Sequence, residues 1–136
     1  MPENKNTFTT ITEGILTICT YTEFAPFSYE DGGDIVGTDI SLLKEFASET
    51  DLEVNIIKRD FPGLWETPGN GVCDVAAAGM MEYESRRLGD NAVWSSPYML
   101  VKRSLLIRRT DSEFLKNPED FEGKTIVVTP TSSAHL

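Results

Sequence analysis

The chain predicts an open α/β sheet, mainly parallel, with helices on both faces. Short apolar, β-branched runs recur at residues 15–20, 54–58, 74–79 and 124–128. Helical spacing of apolar residues, or a helix-opening signal, falls between them. Strands that alternate with helices are joined by crossovers, which makes neighbouring strands parallel.

Residues 1–14, rich in Thr, Asn and Glu, read as a weakly ordered tail. Ile15-Leu16-Thr17-Ile18-Cys19-Thr20 has the composition of a buried strand. An aromatic loop, residues 21–29, leads to the turn Glu30-Asp31-Gly32-Gly33-Asp34, which closes a small hairpin onto Ile35-Val36. Thr38-Asp39 offers N-cap chemistry before Ile40, Leu43, Phe46 and Ala47, so a helix is expected to near Thr50-Asp51. Residues 54–58 form the second strand. A short helix starts near Phe61-Pro62-Gly63-Leu64-Trp65 and is stopped by Pro68-Gly69-Asn70-Gly71. Residues 74–79 form a small-residue strand buried on both faces, and a short helix follows over residues 82–88. Residues 92–94 and 99–109 read as extended, 118–121 as a helical turn and 124–128 as a final strand.

Composition narrows the function. With 136 residues the chain suits one compact domain, or one lobe with an appendage. Hydrophobic residues at 40% and charged residues at 25% suit a soluble globular chain. A net charge of -10 argues against a nucleic-acid partner, because phosphate binding needs a Lys/Arg surface. No apolar run approaches the roughly 20 residues that span a bilayer. Cys19 sits near the end of the first strand and Cys73 just before the third. In parallel neighbours that places the sulfurs roughly 15 Å apart at 3.3 Å per residue, too far for a disulfide. Two buried free thiols are therefore expected. With His135 the only histidine, no metal site and no cofactor are expected.

In an open parallel sheet, ligands bind beyond the carboxyl ends of the strands. Three loops fall there: Tyr21 to Phe24, Ala78-Gly79-Met80-Met81, and Thr131-Ser132-Ser133. Arg86, seven residues beyond Gly79, returns toward the same opening, and its planar fork suits a carboxylate. Taken singly, Tyr21 and Phe24 read as packing residues and Arg86 as a solvated charge beside Glu82, Glu84 and Arg87. The joint pattern is what points to a site. It contains no acid/base pair, so no catalytic residue is assigned.

The same segments resemble the extracellular solute-binding proteins of family 3, the polar amino-acid receptors of ABC importers. Leu16 to Phe27 (LTICTYTEFAPF) is similar to the family's first strand and "PPF" loop. Residues 35–40 (IVGTDI) resemble its "VGFDVDL" element, and Asp60-Phe61-Pro62-Gly63-Leu64 its "W/F-D/S-G-L" element. Residues 74–86 resemble "DVIIAGMTITPER", Trp94-Ser95-Ser96-Pro97-Tyr98 resembles "FSDPY", and residues 120–124 resemble the "DLKGKKVGV" opening of a second lobe. These motifs follow in family order over residues 15 to 134.

The resemblance implies one lobe of a periplasmic-binding-protein-like fold over residues 15–98, a crossover over 99–110, and the start of a second lobe over 111–136. It implies that Phe24 and Phe61 wall a small-molecule ligand, an amino acid or related carboxylate. Ala78 and Gly79 backbone, with Met80 and Met81, would meet that ligand. Arg86 would clamp its carboxylate, with Thr131, Ser132 and Ser133 closing from the second lobe. Tyr21 replaces the Asp common in relatives, and Met81 replaces a Ser/Thr, which removes a hydroxyl donor. Both departures count against a standard polar amino acid. The implied partner is an ABC permease and the implied location periplasmic or extracellular, the polar first fourteen residues following a cleaved leader. The chain is expected to be a fragment of a longer protein, to bind ligand weakly or not at all, and to dimerise through exposed edges. Two other roles use this architecture: an enzyme like the cyclohexadienyl dehydratases, for which Glu82 and Glu84 are the nearest acids, and the sensor module of a larger protein.

Overall fold

The spine is β1 (Ile15–Thr20), buried on both faces because its alternate residues serve two clusters. In the computed structural model, which describes residues 8–135, Leu16 and Ile18 face one side and Cys19 the other. β2 (Glu23–Phe24), β3 (Ser28–Asp31) and β4 (Asp34–Val36) form a separate antiparallel sheet, the expected hairpin with one extra short strand. α1 (Thr38–Glu49) follows, then β5 (Glu53–Lys58) and β6 (Val75–Ala76). The main sheet has the order β5-β1-β6 and is parallel throughout, with Ile15 opposite Glu53, Thr20 opposite Lys58, and Cys19 opposite Ala76. All three carboxyl ends therefore open on one rim.

α1 lays Leu43, Phe46 and Ala47 on the face formed by Leu16, Ile18, Val54, Ile56 and Val75. The apolar stripe at helical spacing sets this orientation. The opposite face is covered by the 3-10 turn Leu64–Glu66, whose Leu64 packs with Cys19, Phe61, Cys73 and Ala78. Thr38 and Asp39 do not cap α1; they are its first two residues, and the cap is Gly37. The first N–H groups are satisfied by backbone instead, Thr38 N–H donating to the Pro26 carbonyl at 2.9 Å and Asp39 N–H to the Phe27 carbonyl at 3.1 Å. Gly37 is needed there: its φ is +131°, and a Cβ would overlap the Phe27 carbonyl.

The cysteines correct the expectation of free thiols. Cys19 and Cys73 form a disulfide, with Cα atoms 5.9 Å apart. The distance argument extended β6 back through Cys73, whereas β6 begins at Val75. Cys73 lies in a loop that folds over the face of β1, held by the Val72 N–H bond to the Thr67 carbonyl at 3.0 Å.

Three further expectations are revised. Residues 82–88 make a turn, because Arg86 N–H bonds the Tyr83 carbonyl (2.9 Å) rather than a residue one position earlier, as a helix requires. Residues 92–94, 99–108 and 124–128 have no regular structure and no strand partner among the described residues. Arg109 already begins a 3-10 turn (Arg109–Asp111), and Leu100, Leu106 and Val127 are more than nine-tenths exposed. An apolar β-branched run becomes a strand only when a neighbouring strand pairs with it. Of the expected weak tail, residues 1–7 lie outside the described residues, while the rest is tied down. Phe8 meets the Phe46 ring edge-on at 5.1 Å, and Ile11 N–H donates to Asp74 Oδ1 at 2.8 Å. The turn at Pro118–Phe121 forms as expected, with Asn117 and Asp120 in a reciprocal capping box.

Candidate functional site

The rim is assembled from the residues just past each parallel strand. After β1 comes Tyr21, after β5 comes Phe61, and after β6 come Ala78 to Met81. Thr20 ties the first to the third, its hydroxyl lying 2.5 Å from the Ala77 carbonyl and 2.6 Å from the Ser28 hydroxyl. Tyr21 packs edge-on against Phe61 at 5.7 Å, and Phe61 against Trp65 at 6.1 Å. The aromatic wall is thus a run of three rings.

Arg86 lies against that wall and is 4% exposed. Its guanidinium carbon sits 4.9 Å from the Trp65 ring centre, 5.1 Å from Tyr83 and 5.3 Å from Phe61, a cation held by three π faces. Nη1 donates to the Met81 carbonyl at 2.7 Å and Nη2 to the Thr131 carbonyl at 2.8 Å. Nε is buried with no hydrogen-bond partner. Among the described residues no carboxylate forms an ion pair with it. Burial pushes the Arg86 pKa down, which the neighbouring Tyr83 partly opposes. A buried cation lacking a counter-charge is costly unless a bound anion supplies one. Chemically, the arrangement leaves the Nε–H of the guanidinium as a donor that an anion can take.

The other expected residues divide. Phe61, Met81, Arg86 and Thr131 are brought together, with Tyr21 beside them. Met80 packs against the Cys19–Cys73 cluster, and Ala78 is fully buried within it. Gly79 does not offer its N–H outward, because it donates to Asp39 Oδ2 at 2.6 Å. The Gly79 Cα lies against Phe24 and Phe27, whose rings meet at 5.0 Å with a tilt of 44°. Phe24 is 40% exposed and faces solvent at this end of the sheet. The Ser133 carbonyl accepts from Arg103 at 2.5 Å, and the Ser132 hydroxyl caps Ala134 N–H at 3.3 Å, so neither reaches Arg86. Trp65, Tyr83, Asp39 and Tyr98 carry structure at the rim without belonging to any expected set. The spacings Phe61/Trp65 and Tyr83/Arg86 are the signal that marks the first two. Tyr21 is held above the ordinary tyrosine pKa by burial and by the carboxylates of Glu23 and Asp60, so the rim is also acidic beside its aromatic wall.

A groove of about 950 Å³ adjoins the rim along the open edge of β6, between α1 and residues 90–98; Trp65, Asp39 and Tyr98 line it, and of the expected residues it includes only Met80. The cation without a carboxylate partner among the described residues is at the rim.

The profile of the bacterial extracellular solute-binding proteins, family 3, matches residues 16–131. The chain belongs to this family. As a family 3 chain it is 28% identical over 113 residues to a probable histidine-binding protein of Campylobacter jejuni, covering 83% of this chain and 43% of that protein. It is 35% identical to domain 1 of TmArgBP in its arginine-bound form, with a TM-score of 0.51, covering 54% of this chain and 59% of that one. An ancestral cyclohexadienyl dehydratase matches at 29% identity and a TM-score of 0.59, covering 79% of this chain and 44% of that one. This family 3 chain thus spans about two fifths of the length of the curated relatives it matches. The α/β fold of amino-acid-binding protein domains, expected from the alternation of strands and helices, is the fold these neighbours share.

Proposed function

We propose that the chain is the ligand-gripping lobe of an extracellular receptor for an amino acid with a cationic side chain. The carrying observation is the buried Arg86 guanidinium with an unbonded Nε and no carboxylate partner. The ligand's carboxylate takes that edge, and its side chain runs along Tyr21 and Phe61 toward Glu23 and Asp60. Arginine- and histidine-binding relatives support the cationic side chain. That an isolated domain 1 of TmArgBP has an arginine-bound form supports binding by one lobe alone, in place of the negligible binding expected from the sequence. Residues 15–98 make this lobe, 99–110 the crossover, and 111–136 the beginning of a second lobe that closes on the ligand through Thr131, with Ser132 and Ser133 nearby. Delivery is to an ABC permease. The Cys19–Cys73 disulfide supports a periplasmic or extracellular location, since disulfides persist in oxidising compartments. Apolar exposure over residues 99–127 supports dimerisation, which light scattering across a dilution series reads directly.

Calorimetric titration against L-arginine, L-lysine, L-histidine and prephenate tests the proposal. Tightest binding of a cationic amino acid is expected; a preference for prephenate would overturn it. A second reading, a dehydratase, is favoured by the extent of the match to the ancestral dehydratase. Glu82 and Glu84, the acids that reading names, make no hydrogen bond to a rim residue among the described residues. Conversion of prephenate, followed by mass spectrometry, would establish it.

A further inference from the structure

Asp39 is a carboxylate 1% exposed to solvent in the first turn of α1, a position where an acid ordinarily faces outward and caps N–H groups. Here the carbonyls of Pro26 and Phe27 take the first N–H groups, and the carboxylate turns inward. Its two oxygens have separate partners. Oδ2 accepts from Gly79 N–H at 2.6 Å, and Oδ1 accepts from the Tyr98 hydroxyl at 2.8 Å.

Those partners stand at different places in the chain. Gly79 has φ +57° and opens the loop whose Met81 carbonyl holds Arg86. Tyr98 is the last residue before the segment 99–108, which has no regular structure. That stretch of chain is tied to the ligand loop again at its far end, where the Thr131 carbonyl receives Arg86 Nη2 at 2.8 Å. Residues 99–130 therefore hang from the loop 79–81 by two ties, one through Asp39 and one through Arg86.

We propose that Asp39 is a positioning residue that couples the ligand loop at Gly79 to the start of the 99–130 segment at Tyr98. The coupling is physical because one buried carboxylate needs both donors. When the Tyr98 hydroxyl is lost, Oδ1 is left without its partner, and the nearly buried carboxylate regains one by turning toward the water of the groove that Asp39 and the half-exposed Tyr98 line. That turn draws Oδ2 away from Gly79. The coupling does not depend on the receptor reading above.

The test is amide hydrogen exchange of the whole 136-residue chain, with Tyr98→Phe as the variant. Gly79 exchange is expected to rise about tenfold, while Ile18 and Cys19 in the central strand exchange as before. Gly79 exchange that stays unchanged, or rises by the same factor as the central strand, overturns the proposal. Asp39→Asn keeps a carbonyl for Gly79 and an amide for Tyr98, whose hydroxyl also accepts, so it retains more Gly79 protection than Asp39→Ala. Equal loss in the two variants overturns the proposal as well. If Asp39→Ala does not fold, Tyr98→Phe decides. L-arginine titrations run alongside separate the two ideas: no binding by the unmodified chain refutes the receptor reading, and the exchange result still judges Asp39.

Discussion

Reducing the Cys19–Cys73 bond is the perturbation whose size comes most directly from the structure. The cysteines are separated by 54 positions, and closing a loop of that length removes about 14 cal/mol/K from the unfolded chain, or about 4 kcal/mol at 25 °C. Domains of this size are stable by about 5–15 kcal/mol, so the loss is a large share. At roughly 3–4 °C per kcal/mol, the melting temperature falls by about 12–16 °C. Both cysteines are buried against Phe61, Leu64 and Ala78, so a Cys19→Ala/Cys73→Ala double variant keeps most of the packing and isolates the cross-link. Thermal melts by circular dichroism, with and without reductant, make the measurement. A drop below about 1 kcal/mol would refute the loop argument, and two reactive thiols in the unfolded, unreduced chain would refute the pairing itself.

Other perturbations address single contacts. Gly37→Ala puts a Cβ into the Phe27 carbonyl at a left-handed φ, and should cost about 2–3 kcal/mol in chemical denaturation; a change under about 0.5 kcal/mol contradicts the close approach of the two backbones. Gly79→Ala places a Cβ 2.7 Å from Phe24 Cε1 and 2.9 Å from the Phe27 ring. It should turn Phe24 outward and weaken ligand binding about tenfold with a smaller effect on stability, and unaltered binding counts against Phe24 as a wall. Burial, reinforced by its bond to Asp39, holds the Tyr98 hydroxyl well above the ordinary tyrosine pKa of about 10. A raised folded-state pKa gives stability that is complete below about pH 10 and declines as pH rises beyond it. The melting temperature should therefore fall more steeply from about pH 9 to 11 than in Tyr98→Phe, and parallel slopes would exclude Tyr98 as the source.

Much of the frame was legible because local pattern and tertiary need agree there. Residues 15–20 and 53–58 are β-branched runs bounded by turn chemistry, and Ile40 to Ala47 repeat at helical spacing, so β1, β5 and α1 fall where expected. The convergence of Met81, Arg86 and Thr131 came from placing loops beyond parallel strands, and Phe61 from the family resemblance. Features that escaped depended on partners remote in sequence. The Cys73 loop crosses the face of β1 instead of extending β6, which no strand count reveals. The turn at Tyr83–Arg86 prevails over helix propensity because the buried guanidinium needs the ring three residues before it. Asp39 reads as a cap until the carbonyls of Pro26 and Phe27 are seen to occupy the N–H groups it would have capped. Residues 124–128 have strand composition, yet no neighbouring strand among the described residues pairs with them.

Occupation of the bare Arg86 Nε–H by a ligand carboxylate is the central claim, and its proton resonance reports on it directly. On addition of L-arginine to the 15N-labelled chain, the Arg86 Nε–H signal should move downfield and exchange more slowly with water, as a new charge-assisted hydrogen bond requires. Saturating ligand that leaves this signal in place, while other rim resonances shift, would contradict the account.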